Sequence, residues 1–416
     1  MFKKKYRLFS IITVVKVFFA GAVTFLAIAF SNFRPDKPEK NCFLINDDGR
    51  IFIGNKLTDK GKQIWINGVN TPWDRWNDFG GEYREWWWNE EFSRLREAGI
   101  NATRVWINCN GLGSITIDSI GNIHGASAKH WDDLDSFFAL AKKHKIYIMA
   151  TLTSFDHFKT NNHHSNRWRA MIRSKSASES FAKNYTIPFV ERYRDIPYLW
   201  SIDIMNEPEW ISEGQEDNIL QDRISWDDIS YFFAVNAAAI HENSKALVTV
   251  GIAYPKWNVD AEDSSGDYRG NKVSDTYLQR LYPNRNAYLD FWSPHYYDWV
   301  GEWYGVPFYL PPDGKLIGNR NTGWTGGWGL DPSKPALIGE CSAKGTRKDY
   351  LGLKNNSIIT DYEQAYLNGW QGVMAWTSNA VDGNGGLYAD GNRTTHLKLA
   401  TQNMLEKYRI LIYPLD

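Results

Sequence analysis

Eight short apolar runs recur along this chain, and amphipathic segments separate most of them. The runs are Gln63–Asn70, Ala102–Asn108, Ile146–Thr153, Leu199–Met205, Ala246–Ala253, Leu289–His295, Pro335–Glu340 and Gly372–Thr377. A run of this length, apolar on both faces, suits a strand covered on two sides. The intervening stretches Trp131–His144, Ser176–Arg194, Trp226–Asn243 and Ile359–Leu367 carry apolar residues at helical spacing, as does Leu397–Tyr408 after the last run. Strand and helix in alternation require parallel pairing with right-handed crossovers. Eight such units close into an α/β (β/α)8 TIM barrel, which accommodates 416 residues as one domain. The sixth unit departs from the pattern. Residues 298–334 are rich in Gly, Pro and Trp, and read as a long loop over the catalytic face. Ahead of the barrel, Cys42–Gly68 holds short apolar runs broken by turn residues, the mark of an N-terminal β-hairpin that closes the barrel floor.

In such a barrel the carboxyl ends of the strands carry the chemistry. Polar and aromatic residues recur there. The first run ends at Asn70, with Trp73 and Trp76 beyond it, and the second carries Arg104. The fourth, LWSIDIMNEPEW, stops on Asn206 and Glu207, and Pro208 prevents the ladder from continuing. The sixth ends in His295, Tyr296 and Tyr297, the seventh on Glu340, and the eighth carries Trp376. Two glutamates at the ends of two buried strands suggest a paired-carboxylate site, and glycosidic bond cleavage is the chemistry that most needs such a pair. Taken singly, each residue has a plainer reading: Arg104 as an ion-pair partner, His295 and Trp376 as core.

The set as a whole resembles glycoside hydrolase family 5, in the clan A of retaining, cellulase- and β-mannanase-like barrels. The resemblance covers most of Cys42–Tyr408. It rests on Asn101-Ala-Thr-Arg104-Val, Asn206-Glu207-Pro208, His295-Tyr-Tyr297, Ile338-Gly-Glu340 and Trp376. It implies Glu207 as general acid/base and Glu340 as nucleophile, with Arg104, Asn206, His295, Tyr297, Trp376, Asn70 and Trp73 as binding residues around them: Arg104 is the candidate cation that keeps Glu340 ionised, Tyr297 a candidate donor to Glu340, and His295 orients the acid/base or binds the sugar. Asn206 would meet the 2-hydroxyl, and Trp376 would form the floor under the sugar at the cleavage point. The resemblance also implies a histidine at the end of strand three. Here Ser154-Phe155-Asp156-His157 follows that strand, so either His157 is that residue displaced into the loop or the chain departs from the pattern at this point. Cys341 stands where an aromatic residue often follows the nucleophile motif. The function expected is a retaining endo-β-glycanase acting on β-1,4-linked mannan or glucan, with mannan favoured slightly. A non-catalytic carbohydrate-binding barrel and a metal-dependent barrel hydrolase are the alternatives.

Composition narrows the field. A net charge of −1 offers no electrostatic case for nucleic acid. Twenty Trp and 22 Tyr exceed what a core of this size needs, which suits stacking on sugar faces. Trp299, Trp303, Trp324 and Trp328, in glycine-rich surroundings, read as subsite platforms, and Glu85-Trp86-Trp87-Trp88 as a helix start or cleft wall. Three cysteines (Cys42, Cys109 and Cys341) indicate no disulfide framework. His163-His164, with His157 upstream, matches no common zinc spacing, so no metal or other cofactor is expected. The polysaccharide substrate is the expected partner, and a monomer the expected state.

The N-terminus reads as a targeting segment. Met1–Arg7 is basic and Leu8–Phe30 mostly apolar, interrupted by Lys16. This is a secretory signal, with Ala27-Ile28-Ala29 as a cleavage site, or an uncleaved anchor long enough to span a bilayer. Either way the rest of the chain is expected to be secreted, periplasmic or at the cell surface, touching a membrane only through this segment. The expected division is 1–30 signal or anchor, 31–40 linker, and 41–416 catalytic barrel.

Overall fold

The computed structural model describes residues 42–416, apart from 55–60, 215–221, 254, 261–268, 298–299, 301–309, 316, 320–322, 346–356, 384 and 390–392. Residues 1–40, read from sequence as a signal or anchor and a linker, lie outside the described residues. Among those residues no helix is long and apolar enough to cross a membrane.

Eight parallel strands form the barrel. Strand one is Ile66–Asn70, two Ala102–Trp106, three Tyr147–Ser154, four Leu199–Asn206, five Leu247–Ile252, six Ser293–Tyr296, seven Glu340–Cys341 and eight Gly372–Trp376. Each pairs with its sequence neighbours, and strand eight pairs with strand one from Gly372↔Ile66 to Trp376↔Asn70. Isolated parallel bridges Ile338↔Val373 and Ser342↔Trp376 join strand seven to strand eight. Strand seven is the least regular. Only Glu340 and Cys341 make an extended ladder, to His295 and Tyr296, although the apolar run leading to them is buried.

The amino end of the barrel is sealed as expected. Cys42–Ile45, Ile51–Gly54 and Lys62–Gln63 make a three-stranded antiparallel sheet. Its Phe43, Ile51 and Ile53 pack with Trp200, Phe291, Leu337 and Met374 from the barrel strands. The rings of Trp200 and Phe291 stack at 5.4 Å. An apolar plug at this end leaves the other end for polar side chains.

The helices form where the periodicity predicts them. Trp226–Asn243 is capped by Ser225, whose hydroxyl accepts from the Asp228 N–H. Ala128–His144 is capped by Ser127. The stretch predicted as one helix over 176–194 is helical throughout, with Lys175–Phe181 and Ile187–Tyr193 joined through a wider, π-helical turn at Ala182–Thr186. Pro188 is the reason: it has no N–H to donate to the preceding turn. In the sixth unit the described residues include the antiparallel pair Ile317–Asn319 and Gly323–Thr325.

One tryptophan expectation needs correcting here. Trp328 is fully buried, 5.2 Å from Trp370 and 5.6 Å from Tyr296 by ring centroid, and so is core rather than a sugar platform. Its backbone N–H donates to the Pro311 carbonyl at 2.9 Å, which ties this glycine-rich stretch back onto the loop before it. In Glu85–Glu97, Trp88 is buried and Trp86 exposed; neither lines the cleft. Trp299 and Trp303, also read as platforms, lie outside the described residues, as does the side chain of Trp324.

Candidate active site

Strand four delivers its last two residues in different ways. Asn206 ends the ladder, and Glu207 then turns into the left-handed region at φ 46°. Its N–H donates to the Gly251 carbonyl of strand five at 2.8 Å, which fixes the turn. Pro208 opens the short 3-10 turn Pro208–Ile211. That turn brings Trp210 back over the carboxyl, and its Nε1–H donates to Glu207 Oε2 at 2.8 Å. The other oxygen, Oε1, lies 2.9 Å from His295 Nδ1.

Glu340 sits across from it. A carboxyl oxygen of Glu207, one of Glu340 and a ring nitrogen of His295 all lie within 4.8 Å of one another. Glu340 Oε1 accepts from Arg104 Nη1 at 2.6 Å, and Oε2 from the Tyr297 hydroxyl at 2.7 Å. Beneath it lies a closed ionic cluster. Arg104 donates from Nε and Nη2 to Asp203, from Nη1 also to Asn70 Oδ1, and from Nη2 to Asn206 Oδ1. Its guanidinium lies 4.3 Å from the Trp106 ring centroid. A fork of this kind holds several acceptors in one plane, as a lysine ammonium would not.

The two carboxyls have different surroundings. Burial pushes Glu207 up to about 7, opposed by the Trp210 N–H and the more distant Arg104 charge. Burial also pushes Glu340 up, but the adjoining Arg104 cation and the Tyr297 hydroxyl favour its charged form. His295 is brought down to about 4 by burial, so it is neutral at pH 7. An ionised Glu207 can only accept, so in that state Nδ1 of His295 carries the hydrogen.

Above this layer opens a cleft of about 680 Å³ lined by Trp73, Trp76, Trp106, Phe155, Asp156, Lys159, Asn206, Glu207, Trp210, Tyr297, Glu340, Trp376 and Asp382. Trp376 is 9% exposed, packs edge-on to Trp106 and Trp73, and donates its Nε1–H to Asp382. Its peptide bond to Thr377 is cis.

Of the residues named from sequence, Glu207, Glu340, Asn206, Tyr297, Trp376 and Trp73 converge on this cleft. Arg104, His295 and Asn70 lie below it, each with no exposed surface. This corrects the expectation that those three touch the sugar, while Arg104 beside Glu340 and His295 on Glu207 take the supporting places also expected of them. The Asn70 amide is spent on the Gly339 and Met374 carbonyls, at 3.0 and 2.8 Å, and its oxygen on Arg104. His157 is also away from the cleft: it is buried against Trp168, caps its own turn through Ser154, and is brought down to about 3 by burial. Sequence reasoning missed Asp203 and Trp210. Asp203 is marked by being the one acid inside an apolar strand; Trp210 has no signal beyond lying three residues after Glu207.

No family model matches the chain. Among curated proteins, it is 26% identical over 356 residues to a mannan endo-1,4-beta-mannosidase of Cryptopygus antarcticus, covering 79% of this chain and 84% of the relative. It is 24% identical over 371 residues to that of Mytilus edulis, covering 84% and 92%. Among solved structures, the beta-1,4-mannanase of Aplysia kurodai superposes with a TM-score of 0.70 at 22% identity, over 88% of this chain and 97% of that one. The endo-1,4-beta-mannanase of Eisenia fetida does so with 0.68 at 21%, over 88% and 95%. At these identities the superpositions establish the barrel fold. Together with the curated relatives they bear out the resemblance, read from the sequence, to the cellulase- and β-mannanase-like barrels of glycoside hydrolase family 5.

Proposed function

We propose that this chain is a retaining endo-β-1,4-glycanase, with β-mannan its substrate ahead of β-glucan. One observation carries the reading: Glu207 and Glu340 present carboxyl oxygens within 4.8 Å of each other. Retaining glycosidases hold their two carboxyls about 5–5.5 Å apart, while inverting ones leave room for a water between them. The unequal surroundings assign the roles. Glu340, on the permanent Arg104 cation, attacks the anomeric carbon. Glu207, held up by burial, gives its proton to the departing glycosidic oxygen. In the second half Glu207 takes a proton from water, whose oxygen attacks the same carbon and releases Glu340. The Tyr297 hydroxyl holds the nucleophile in line, and Asn206 faces the sugar where a 2-hydroxyl contact strengthens toward the transition state. The preference for mannan follows the curated relatives, both named mannan endo-1,4-beta-mannosidases.

A polysaccharide panel with product sizing over time tests this. β-1,4-Mannan should yield a ladder of oligosaccharides early, the sign of internal cleavage, and β-1,4-glucan less. Binding without release of reducing ends would favour the carbohydrate-binding barrel instead. Glu340→Gln should abolish turnover of an aryl glycoside; wild-type rates in that variant would refute the nucleophile assignment. We further propose that the chain is exported by its N-terminal segment. Amino-terminal sequencing of the mature protein separates cleavage after Ala29 from a retained anchor.

A further inference from the structure

Asp156 and Lys159 stand in the same cleft as the two glutamates, yet neither takes part in the double displacement. Asp156 lies in the 3-10 turn Phe155–His157 that follows strand three. Ser154 caps that turn and donates its hydroxyl to Asp156 Oδ2 at 2.7 Å. Lys159 Nζ is ion-paired with Asp156 Oδ1 and lies 5.3 Å from the Phe155 ring centroid. This turn packs on the Pro208–Ile211 turn that follows Glu207. Phe155, Asp156 and Lys159 therefore share the cleft lining with Glu207 and Trp210.

The two charges are not equally screened. The Asp156 side chain is 12% exposed and that of Lys159 is 41% exposed. Water weakens the field of the ammonium more than that of the covered carboxylate. Of the two charges, the Asp156 carboxylate is therefore the less screened.

We propose that Asp156 and Lys159 form a tuning pair that sets how tightly Glu207 holds its proton, with Asp156 strengthening that hold and Lys159 moderating it. This rests on the reading of Glu207 as acid/base. The other groups facing Glu207 are Arg104 from strand two, Asp203 from strand four, neutral His295 from strand six, and Tyr297 and Glu340 after it. Arg104, Asp203 and Tyr297 are tied into the nucleophile's own support, and His295 is bound to Glu207 itself. The wall pair is the element free to vary without dismantling that support. The Asp156 charge does act on Glu207 in the expected direction, upward.

The test compares wild type, Asp156→Asn and Lys159→Met by the pH profile of kcat/KM on a soluble substrate. In parallel, carbon-13 NMR titration of labelled glutamate carboxyls reads Glu207 without needing turnover. Asp156→Asn keeps an acceptor for Ser154, and Lys159→Met keeps an apolar stem over Phe155, so the turn is preserved. Asp156→Asn should move the alkaline limb and the Glu207 titration down by about half a pH unit, and Lys159→Met should move both up by a similar amount. Shifts of the same sign, or none, would overturn the proposal. Opposed NMR shifts in a protein without turnover would uphold the pair and count against the acid/base reading instead.

Discussion

Asp203 Oδ2 accepts from both Nε and Nη2 of Arg104, at 2.9 and 2.6 Å, and neither side chain has any exposed surface. Asp203 Oδ1 is bound in turn by the Gly251 N–H at 2.9 Å. The guanidinium that supports Glu340 is thus itself held by a carboxylate one layer deeper. Asp203→Ala leaves that cation short of a partner in a dry site, which costs about 3 kcal/mol or more. Urea unfolding should show the loss, and kcat should fall with little change in KM. A variant of wild-type stability and rate would mean that Arg104 is held without it.

Glu207 sets an opposition between stability and activity. A carboxyl raised from its ordinary 4.5 to about 7 on folding contributes most below the lower value. That contribution is lost as pH rises through 7, because the folded state must then bury a charge. Glu207→Gln should therefore stabilise the protein at pH 8, by on the order of 1–3 kcal/mol, and do little at pH 4. Thermal melts at the two pH values check this. Equal effects at both would show that Glu207 titrates normally.

Trp210 donates to Glu207 Oε2 and so favours the charged carboxyl. Trp210→Phe removes the donor and keeps the bulk. The alkaline limb of kcat/KM should move up, the reverse of Asp156→Asn. An unchanged limb would reduce Trp210 to a cleft wall.

Gly251 lies where no side chain fits. An added Cβ would sit 2.7 Å from Arg104 Nη2 and 2.9 Å from His295 Nε2. Gly251→Ala should cost about 1–3 kcal/mol of stability and disturb both supports of the glutamates at once. Activity should fall by tenfold or more even where the variant is folded by circular dichroism. Full activity would show that the layer under the cleft adapts freely.

Much of this was legible before any coordinates. The alternation of apolar runs placed all eight strands, because strands buried on both faces leave an unmistakable trace. The position of Glu207 and Glu340 at strand ends followed from the same trace. What was not legible depends on depth rather than on position along the chain. Asn70 ends its strand like Asn206, and His295 and Arg104 stand one and two residues before the ends of theirs, but all three are fully buried, and sequence does not say which layer a polar group occupies. Trp328 looked exposed because its neighbours are glycines; the fold of the loop, not its composition, buries it.

The central claim is that Glu207 and Glu340 flank one sugar ring at the spacing of a double displacement. Proton NMR of a β-1,4-manno-oligosaccharide digest, followed from the first minutes, tests it most directly. The account predicts that the β-anomer of the new reducing end appears first and then mutarotates. Initial appearance of the α-anomer would contradict it.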